Sequence, residues 1–183
     1  MPDVERLLER IGKEASIFEL GCGNGSNAAY LTSKGYTVVG VDPSTSGIEI
    51  AKQNFPECRL VLGSTEDDLA GRFGKFDVVL SLEVIEHVYS PKRYVEVVRD
   101  LLKPGGIVII STPYHSYLKN LALAVSGKMD AHYTALWEGG HIKFWSPATI
   151  STLFSRGGFE RTALFKAGRI PFLAKSMIVV FKK

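Results

Sequence analysis

Cysteine is scarce in this chain, and long apolar runs are missing. The two cysteines, Cys22 and Cys58, lie far apart without a Cys-x-x-Cys spacing, so they build neither a zinc cluster nor a disulfide framework. They suit a reduced compartment, as small core residues or as incidental thiols. The apolar run near the middle of the chain, Leu121 to Val125, is far shorter than the about 20 residues that cross a membrane. The sequence therefore predicts no membrane span.

An excess of charge of one sign is also missing. The formal net charge is only +3 and the basic residues are scattered, which argues against a nucleic-acid partner. Residues 1–13 carry charges throughout and contain no apolar core of signal-peptide length, which predicts a cytoplasmic protein. The 183 residues are 45% apolar and 22% charged, an ordinary globular composition. We expect one domain over residues 1–183.

Strand patterns alternate with helix patterns along most of the chain. Such alternation is typical of an α/β fold with a parallel sheet and helices on both faces. The last connection, Ala167 to Ala174, has eight residues including a proline, too few for a parallel crossover, so the seventh strand should run antiparallel to the sixth. The predicted strands are Ser16–Leu20, Tyr36–Val41, Arg59–Leu62, Phe76–Leu82, Ile107–Ser111, Phe159–Lys166 and Lys175–Phe181.

The alternation lapses from Pro113 to Trp145, an insertion rich in aromatic side chains. An apolar stripe runs through it from Leu118 to Val125. Two interpretations remain open: the stripe is a core or dimer contact, or the insertion is a lid over an aromatic, lipid-like or base-bearing ligand. His115 and His132 are interpreted as surface or pocket-lining residues. The six aromatic residues are Tyr114, Tyr117, Tyr133, Trp137, Phe144 and Trp145.

Three glycines at alternate positions follow the first predicted strand. The stretch Glu19-Leu20-Gly21-Cys22-Gly23-Asn24-Gly25 predicts a tight turn into a helix, because glycine accepts positive φ and lets a ligand approach the backbone. Asp42 comes 21 residues after Gly21, about the spacing at which a carboxylate accepts both hydroxyls of an adenosine ribose. Asp42 could equally cap the following helix. A dinucleotide motif would need its third glycine at residue 26, which is Ser26.

Together these motifs resemble class I S-adenosylmethionine-dependent methyltransferases. The glycine turn, Asp42, Phe76-Asp77-Val78-Val79 and Leu102-Lys103-Pro104-Gly105-Gly106 occur in that family's order and spacing. The resemblance implies a Rossmann-like, doubly wound α/β sheet of seven strands, mostly parallel with the last strand antiparallel. It covers nearly the whole chain.

The same resemblance assigns the cofactor contacts. The glycine turn would hold the methionine part of S-adenosylmethionine, Asp42 the ribose, and the segment after the third strand the adenine. Many family members have a Gly-Asp pair in that segment, whereas this chain has Gly63-Ser64-Thr65. Glu19 is favourable near the cationic end of the cofactor by simple charge. The implied cofactor-binding residues are Glu19, Gly21, Gly23, Gly25, Asp42, Ser64, Thr65 and Leu82.

A second motif, Glu83-Val84-Ile85-Glu86-His87, follows the fourth strand. If one helical turn forms there, Glu83, Glu86 and His87 share a face and could hold Mg²⁺ or another divalent cation. A metal-free alternative stays open, in which these residues shape the pocket or supply a base. The segment Gly139 to Trp145 resembles two metal-using branches of the family, the ubiquinone-pathway O-methyltransferases and the enzymes that methylate the 2′-hydroxyl at small-RNA ends. The implied metal ligands are Glu83, Glu86, His87 and His141.

The implied reaction is O-methylation of a small molecule with adjacent hydroxyls, such as a catechol, a quinol or a sugar. A metal touching a hydroxyl lowers its pKa, and His87 or His141 would be the base without one. The candidate catalytic residues are His87, His141 and Glu83. The alternatives are an RNA-end 2′-O-methyltransferase, a non-catalytic S-adenosylmethionine-binding protein, and a dehydrogenase, which the glycine register and the reversed last strand disfavour.

Overall fold

The computed structural model describes residues 2–133, 135–168 and 174–183. None of the helices within these ranges is long and apolar enough to cross a membrane. The strands are β1 (Ser16–Leu20), β2 (Thr37–Asp42), β3 (Arg59–Leu62), β4 (Phe76–Leu82), β5 (Leu102–Pro113), β6 (Glu160–Ala167) and β7 (Ser176–Lys182). The helices are α1 (Pro2–Ile11), α2 (Ser26–Ser33), α3 (Thr45–Asn54), α4 (Leu69–Phe73), α5 (Pro91–Leu101), α6 (Tyr117–Val125), α7 (Met129–Tyr133) and α8 (Pro147–Arg156).

Seven strands form one sheet in the order β3-β2-β1-β4-β5-β7-β6. Strands β1 to β5 pair in parallel, while β7 lies between β5 and β6 and runs antiparallel to both. The predicted α/β fold with a reversed last strand is confirmed. Part of the short connection behind this prediction, residues 169–173, lies outside the described residues. The strand order reverses at β1 and β4, so the segments after these strands flank the point where ligands bind in such sheets.

Helices cover both faces of the sheet because its central strands are apolar on both sides. Phe18 of β1 lies in one cluster with Phe154 of α8, and the adjacent Ile17 lies in a second cluster with Leu31 of α2. All four side chains are fully buried. Since burial of one large apolar side chain contributes about 1.5–3 kcal/mol, these two layers supply the main driving force for folding.

Serine caps begin α5 and α8. Ser90 Oγ accepts a hydrogen bond from the Arg93 amide, and Ser146 forms a reciprocal capping box with Thr149. The first amides of a helix have no partner within the helix, so such caps determine where it starts. The cap at Ser146 consequently ends the insertion and anchors the segment that precedes α8.

Two details of the central elements differ from the sequence prediction. The Pro104-Gly105-Gly106 segment predicts a break before the fifth strand, yet β5 already begins at Leu102. The pairing of β4 with β5 shifts register between Phe76 and Val78, so the Pro104-Gly105-Gly106 segment lies within β5 as an irregularity of the pairing. Helix α4 has no predicted counterpart, because its five residues are too few to show a helical period.

The insertion at 113–145 contains two helices, α6 and α7, which the sequence reading missed. No side chain of α6 is buried, and Leu118, Leu121 and Val125 are exposed. The interpretation of the apolar stripe as core is therefore wrong, and its roles as a contact surface or as a lid stay predictions. Residue 134 of the insertion lies outside the described residues.

Candidate functional site

The glycine turn after β1 is held by backbone bonds and opens to solvent at its centre. The amides of Gly21 and Cys22 donate to the carbonyl of Val41, at 2.8 and 2.9 Å. Gly23 and Gly25 have φ angles of 52° and 79°, in the left-handed region. A Cβ on Gly25 would lie 2.5 Å from Leu60 Cδ1, whereas a Cβ on Gly23 would have no atom within 4 Å. Gly25 thus serves packing, and Gly23 presents an open face to a ligand.

These two glycines make a matched pair for a stability test. We expect Gly25→Ala to lower the free energy of unfolding by roughly 2–4 kcal/mol, because it adds left-handed strain to a clash in the core. Gly23→Ala adds only the strain, roughly 1–2 kcal/mol. Urea unfolding of both variants without ligand measures the difference. Equal losses would contradict the distinct roles of the two positions.

Asp42 ties the end of β2 to the glycine turn. Its Oδ2 accepts a hydrogen bond from the Gly23 amide at 2.8 Å, and its Oδ1 accepts one from the Ser44 amide at 2.9 Å. The N-cap of α3 is Ser44, whose hydroxyl accepts from the Gly47 amide, so Asp42 is not the helix cap. The carboxylate is half-buried and lines the adjacent cavity. Its remaining lone pairs can therefore accept hydrogen bonds from a ligand.

A groove of two adjoining cavities runs along the carboxyl ends of β1 to β4. Both cavities are lined by Gly21, Pro43, Val84 and His87. The larger, of about 430 Å³, also contains Gly23, Asn27, Asp42, Leu82 and Glu83. The smaller, of about 210 Å³, reaches Ser64, Thr65, Tyr89 and Ser90. Of the cofactor-binding residues that the sequence suggests, all but Glu19 and Gly25 line this groove.

Glu19 lies beneath the glycine turn rather than in the groove. It is fully buried, and neither carboxylate oxygen has a hydrogen-bond partner among the described residues. Burial raises the pKa of Glu19 to about 7, although the side chain of Asn27 and the amide of Ala28 lie near enough to counteract part of this shift. Neither group meets hydrogen-bond geometry. Such an unpaired buried acid favours a nearby cation.

A cluster of one carboxylate and two imidazoles lies beside the groove. Glu86, His87 and His141 each offer one ligand atom, and these atoms lie within 4.8 Å of one another. His141 Nε2 is 4.0 Å from Glu86 Oε1, and the centroids of the two imidazole rings are 4.8 Å apart. Glu86 is only 1% exposed, and its Oε1 has no hydrogen-bond partner among the described residues.

Backbone bonds bring His141 to the cluster across a long stretch of sequence. The amides of Ile142 and Lys143 both donate to the carbonyl of Glu86, at 2.9 and 3.0 Å. His87 Nδ1 lies 3.2 Å from the carbonyl of Gly140. Because a carbonyl oxygen only accepts, this contact makes Nδ1 the donor and leaves a lone pair on Nε2 of a neutral His87.

The backbone conformation of Glu83 departs from the expected helical turn. Its φ of 55° is in the left-handed region, and it is the one such residue other than glycine in the described chain. Its Oε1 accepts a 2.7 Å hydrogen bond from Ser111 Oγ, and its amide donates to Ser111 as well. The expected helical face with Glu86 and His87 is therefore wrong for Glu83: only a turn from Val84 to His87 follows the strand.

The electrostatics of the cluster follow from burial and crowding. Burial, with a contribution from the nearby Glu83 carboxylate, raises the pKa of Glu86 to about 7. Burial and the neighbouring His87 lower the pKa of His141, which keeps its imidazole neutral near pH 7. Both shifts favour a cation or a proton as the missing partner of the cluster.

Sequence reasoning missed two residues that orient the cluster. Thr112 Oγ1 donates to Glu86 Oε2 at 3.0 Å, and Ser111 holds Glu83. Both come from the carboxyl end of β5, where no motif marks them. The available signal was a pair of polar residues at the end of an otherwise apolar buried strand, at the sheet edge that also carries the glycine turn.

Comparison with known proteins identifies the family of the chain. The family model described as a methyltransferase domain matches residues 1–164. The chain belongs to this family. The methyltransferase domain is 34% identical over 155 residues to a ubiquinone biosynthesis O-methyltransferase of Dinoroseobacter shibae, covering 81% of this chain and 61% of that protein. A relative of the same name in Azorhizobium caulinodans is 34% identical over 159 residues, covering 83% and 61%.

Solved structures share the fold of this methyltransferase domain. An S-adenosylmethionine-dependent methyltransferase of Methanosarcina mazei superposes with a TM-score of 0.72 at 19% identity, covering 93% of each chain. Magnesium protoporphyrin IX methyltransferase of Synechocystis superposes with a TM-score of 0.71 at 22% identity, covering all of this chain and 80% of that one. The resemblance to class I methyltransferases that the motifs indicate is thus confirmed. The chain spans about 61% of the length of the curated relatives described above.

Proposed function

We propose that this methyltransferase domain transfers the methyl group of S-adenosylmethionine to a hydroxyl oxygen of a small molecule with adjacent hydroxyls, such as a catechol, a quinol or a sugar. The observation that carries the proposal is the cluster of Glu86, His87 and His141, which reaches the groove through His87. The names of the curated relatives support an oxygen as the methyl acceptor.

The residues of the groove fit S-adenosylmethionine. Gly23 presents an open face to the methionine part, above the unpaired carboxylate of Glu19. Asp42 offers its free lone pairs to the ribose hydroxyls. Ser64 and Thr65 line the far cavity, where hydroxyl and backbone groups would contact the adenine. The two acids complement the cationic sulfonium and ammonium groups of this cofactor.

The carboxylate of the cluster suits Mg²⁺ and its two imidazoles suit a transition-metal ion, so the cluster fits Mg²⁺ or another divalent cation. The unpaired Oε1 of Glu86 and the imidazole nitrogens of His87 and His141 would hold it, and three ligands leave positions free for acceptor oxygens. A cation bound there lowers the pKa of a hydroxyl that touches it. Thr112 keeps the Glu86 carboxylate turned toward the histidines, while Glu83 stays bonded to Ser111 and acts on the cluster through its charge.

Methyl transfer is an in-line displacement. A lone pair of the acceptor oxygen attacks the methyl carbon while the bond from that carbon to sulfur breaks, and the electron pair leaves with S-adenosylhomocysteine. The hydroxyl proton must leave the oxygen as well. Where no cation occupies the cluster, the lowered pKa of His141 leaves its imidazole neutral near pH 7 and able to accept this proton. His87 is oriented for the same role by its contact with Gly140.

A substrate comparison tests the reaction. With labelled S-adenosylmethionine and Mg²⁺, we expect methyl transfer to catechol and none to phenol, which lacks the second hydroxyl. Stabilisation by S-adenosylhomocysteine in a thermal-shift assay reports cofactor binding independently. Stabilisation without methyl transfer to any diol would overturn the proposed reaction and leave a non-catalytic S-adenosylmethionine-binding protein.

Chelation and one substitution test the cation. We expect a chelator to lower the methyl-transfer rate, Mg²⁺ to restore it, and His141→Ala to lower it roughly 10–100-fold, because the cluster loses a ligand. His132→Ala is the matched control, since it removes a histidine of the same insertion that does not belong to the cluster. Rates are measured on catechol at saturating cofactor. Full activity in the chelator and in His141→Ala would rule out the cation.

A further inference from the structure

Trp137 contacts both histidines of the cluster while most of its own surface stays exposed. Its ring centroid is 6.4 Å from that of His87 at an interplanar angle of 87°, and 6.2 Å from that of His141 at 56°. The side chain is nevertheless 60% exposed. A large aromatic ring is thus held against the reaction cluster with a free surface beside it.

The other tryptophan of the chain has a structural role that Trp137 lacks. Trp145 Nε1 donates a 3.2 Å hydrogen bond to the carbonyl of Ile85, and its ring packs against the core cluster around Ile85. Trp137 does not belong to either core cluster of the described chain. Trp137 is therefore an exposed residue next to the histidine cluster and not a core residue.

A cavity next to Trp137 shares no lining residue with the cofactor groove. The cavity has a volume of about 510 Å³ and is open to solvent. Its walls are the indole, the phenol ring of Tyr133, the aliphatic side chains of Ala135 and Leu136, and the carboxylate of Asp130. Leu136 is 99% exposed, so this wall has no partner among the described residues. Among the described residues that line this cavity, Trp137 is the one with ring contacts to His87 and His141.

We propose that Trp137 is the specificity-determining platform on which the ring of an aromatic methyl acceptor stacks. The proposal rests on the proposed function and deepens it, because it selects aromatic diols over sugars. A flat ring on the indole gains offset or edge-to-face contacts, and its hydroxyls then point toward His87 and His141. A sugar presents polar groups in all directions and gains less from the indole and the aliphatic wall.

Kinetic constants distinguish a stacking role of Trp137 from a role in the methyl-transfer step. We expect Trp137→Ala to raise KM for catechol roughly tenfold with little change in kcat, because the stacking contact is made before the transition state as well as in it. KM for cyclohexane-1,2-diol, a non-aromatic diol, should not change. Tyr117→Ala is the matched control, since it removes an exposed ring of the same insertion away from the cluster. Equal KM values for catechol in Trp137→Ala and the unaltered protein would overturn the proposal.

Fluorescence tests binding without any methyl transfer. Catechol, added to the S-adenosylhomocysteine complex, should quench tryptophan emission in the unaltered protein, and Trp137→Phe, which retains Trp145, should lose this quenching. Quenching that persists in Trp137→Phe overturns the platform even where methyl transfer is robust. If the quenching requires Trp137 but the protein methylates no diol, the platform is supported and the proposed reaction is overturned. The failure of one proposal can therefore be distinguished from the failure of the other.

Discussion

Glu86→Gln should lower the rate of methyl transfer to catechol roughly 100-fold or more. The amide oxygen of glutamine can still accept from Thr112, as Glu86 Oε2 does now. Its NH₂ group would then face His141 at the position of Glu86 Oε1, 4.0 Å from Nε2, where it can neither bind a cation nor accept a proton. The rate at saturating S-adenosylmethionine measures the effect.

The affinity for S-adenosylhomocysteine provides the internal control for Glu86→Gln. Glu86 does not line either cavity of the groove, so calorimetric titration should show cofactor binding as tight as in the unaltered protein. The free energy of unfolding should not fall either. Burial raises the pKa of Glu86 to about 7, so the site disfavours a charged carboxylate, and glutamine is neutral. Glu96→Gln on α5 is the matched substitution outside the site. An unchanged rate in Glu86→Gln would place the chemistry elsewhere.

Asp42→Ala should weaken S-adenosylhomocysteine binding roughly 100-fold. Hydrogen bonds to a charged group contribute about 1.5–3 kcal/mol each, and 1.4 kcal/mol is a factor of ten, so loss of the bonds to a ribose has an effect of this size. The substitution also releases the Gly23 amide from its 2.8 Å bond to Oδ2, which loosens the glycine turn. Calorimetric titration measures the affinity.

Two further variants isolate the ribose contact. Asp42→Asn keeps a side-chain oxygen for the Gly23 amide but loses the charge, so its affinity should fall between those of Asp42→Ala and the unaltered protein. Asp100→Ala removes an exposed acid of α5 and should bind S-adenosylhomocysteine normally. Binding to Asp42→Ala as tight as to the unaltered protein would contradict the assignment of this carboxylate to the cofactor.

The groove could be predicted because the residues that line it are set by local sequence. Gly21 to Gly25 form one continuous turn, and Asp42 follows the next strand directly. In a parallel sheet all carboxyl strand ends lie at one edge, so the order of elements alone brings these residues together with Ser64 and Thr65. The order of elements does not predict burial: Glu19, just before the turn, is fully buried.

The geometry around Glu86, His87 and His141 was predicted only in part, because one backbone angle departs from the expected turn. Spacing puts Glu83, Glu86 and His87 on one face of a regular helical turn. The φ of 55° at Glu83 does not fit that turn, and Ser111 of β5 donates a hydrogen bond to the Glu83 carboxylate. No pattern around residue 83 signals a left-handed conformation, since glutamate rarely adopts one.

The insertion was also predicted only in part. Its aromatic content left a ligand-binding element as one of two interpretations, but its two tryptophans have opposite environments. Trp145 is bonded to Ile85 and packs on the core, while Trp137 lies exposed against the histidines. Which ring is free depends on the turn that brings Gly140 and His141 back to Glu86, a contact between residues far apart in the chain.

By itself, the sequence determined the α/β fold, the reversed last strand and the glycine turn, because each depends on spacing, hydrophobic period or connection length within a short window. Tertiary structure alone decided that Glu83 takes a left-handed conformation and bonds to Ser111, that Thr112 orients Glu86, that no side chain of α6 is buried and that Trp137 lines the cavity. These features depend on backbone angles and on contacts between segments far apart in the chain, whose energies no local pattern of residues encodes.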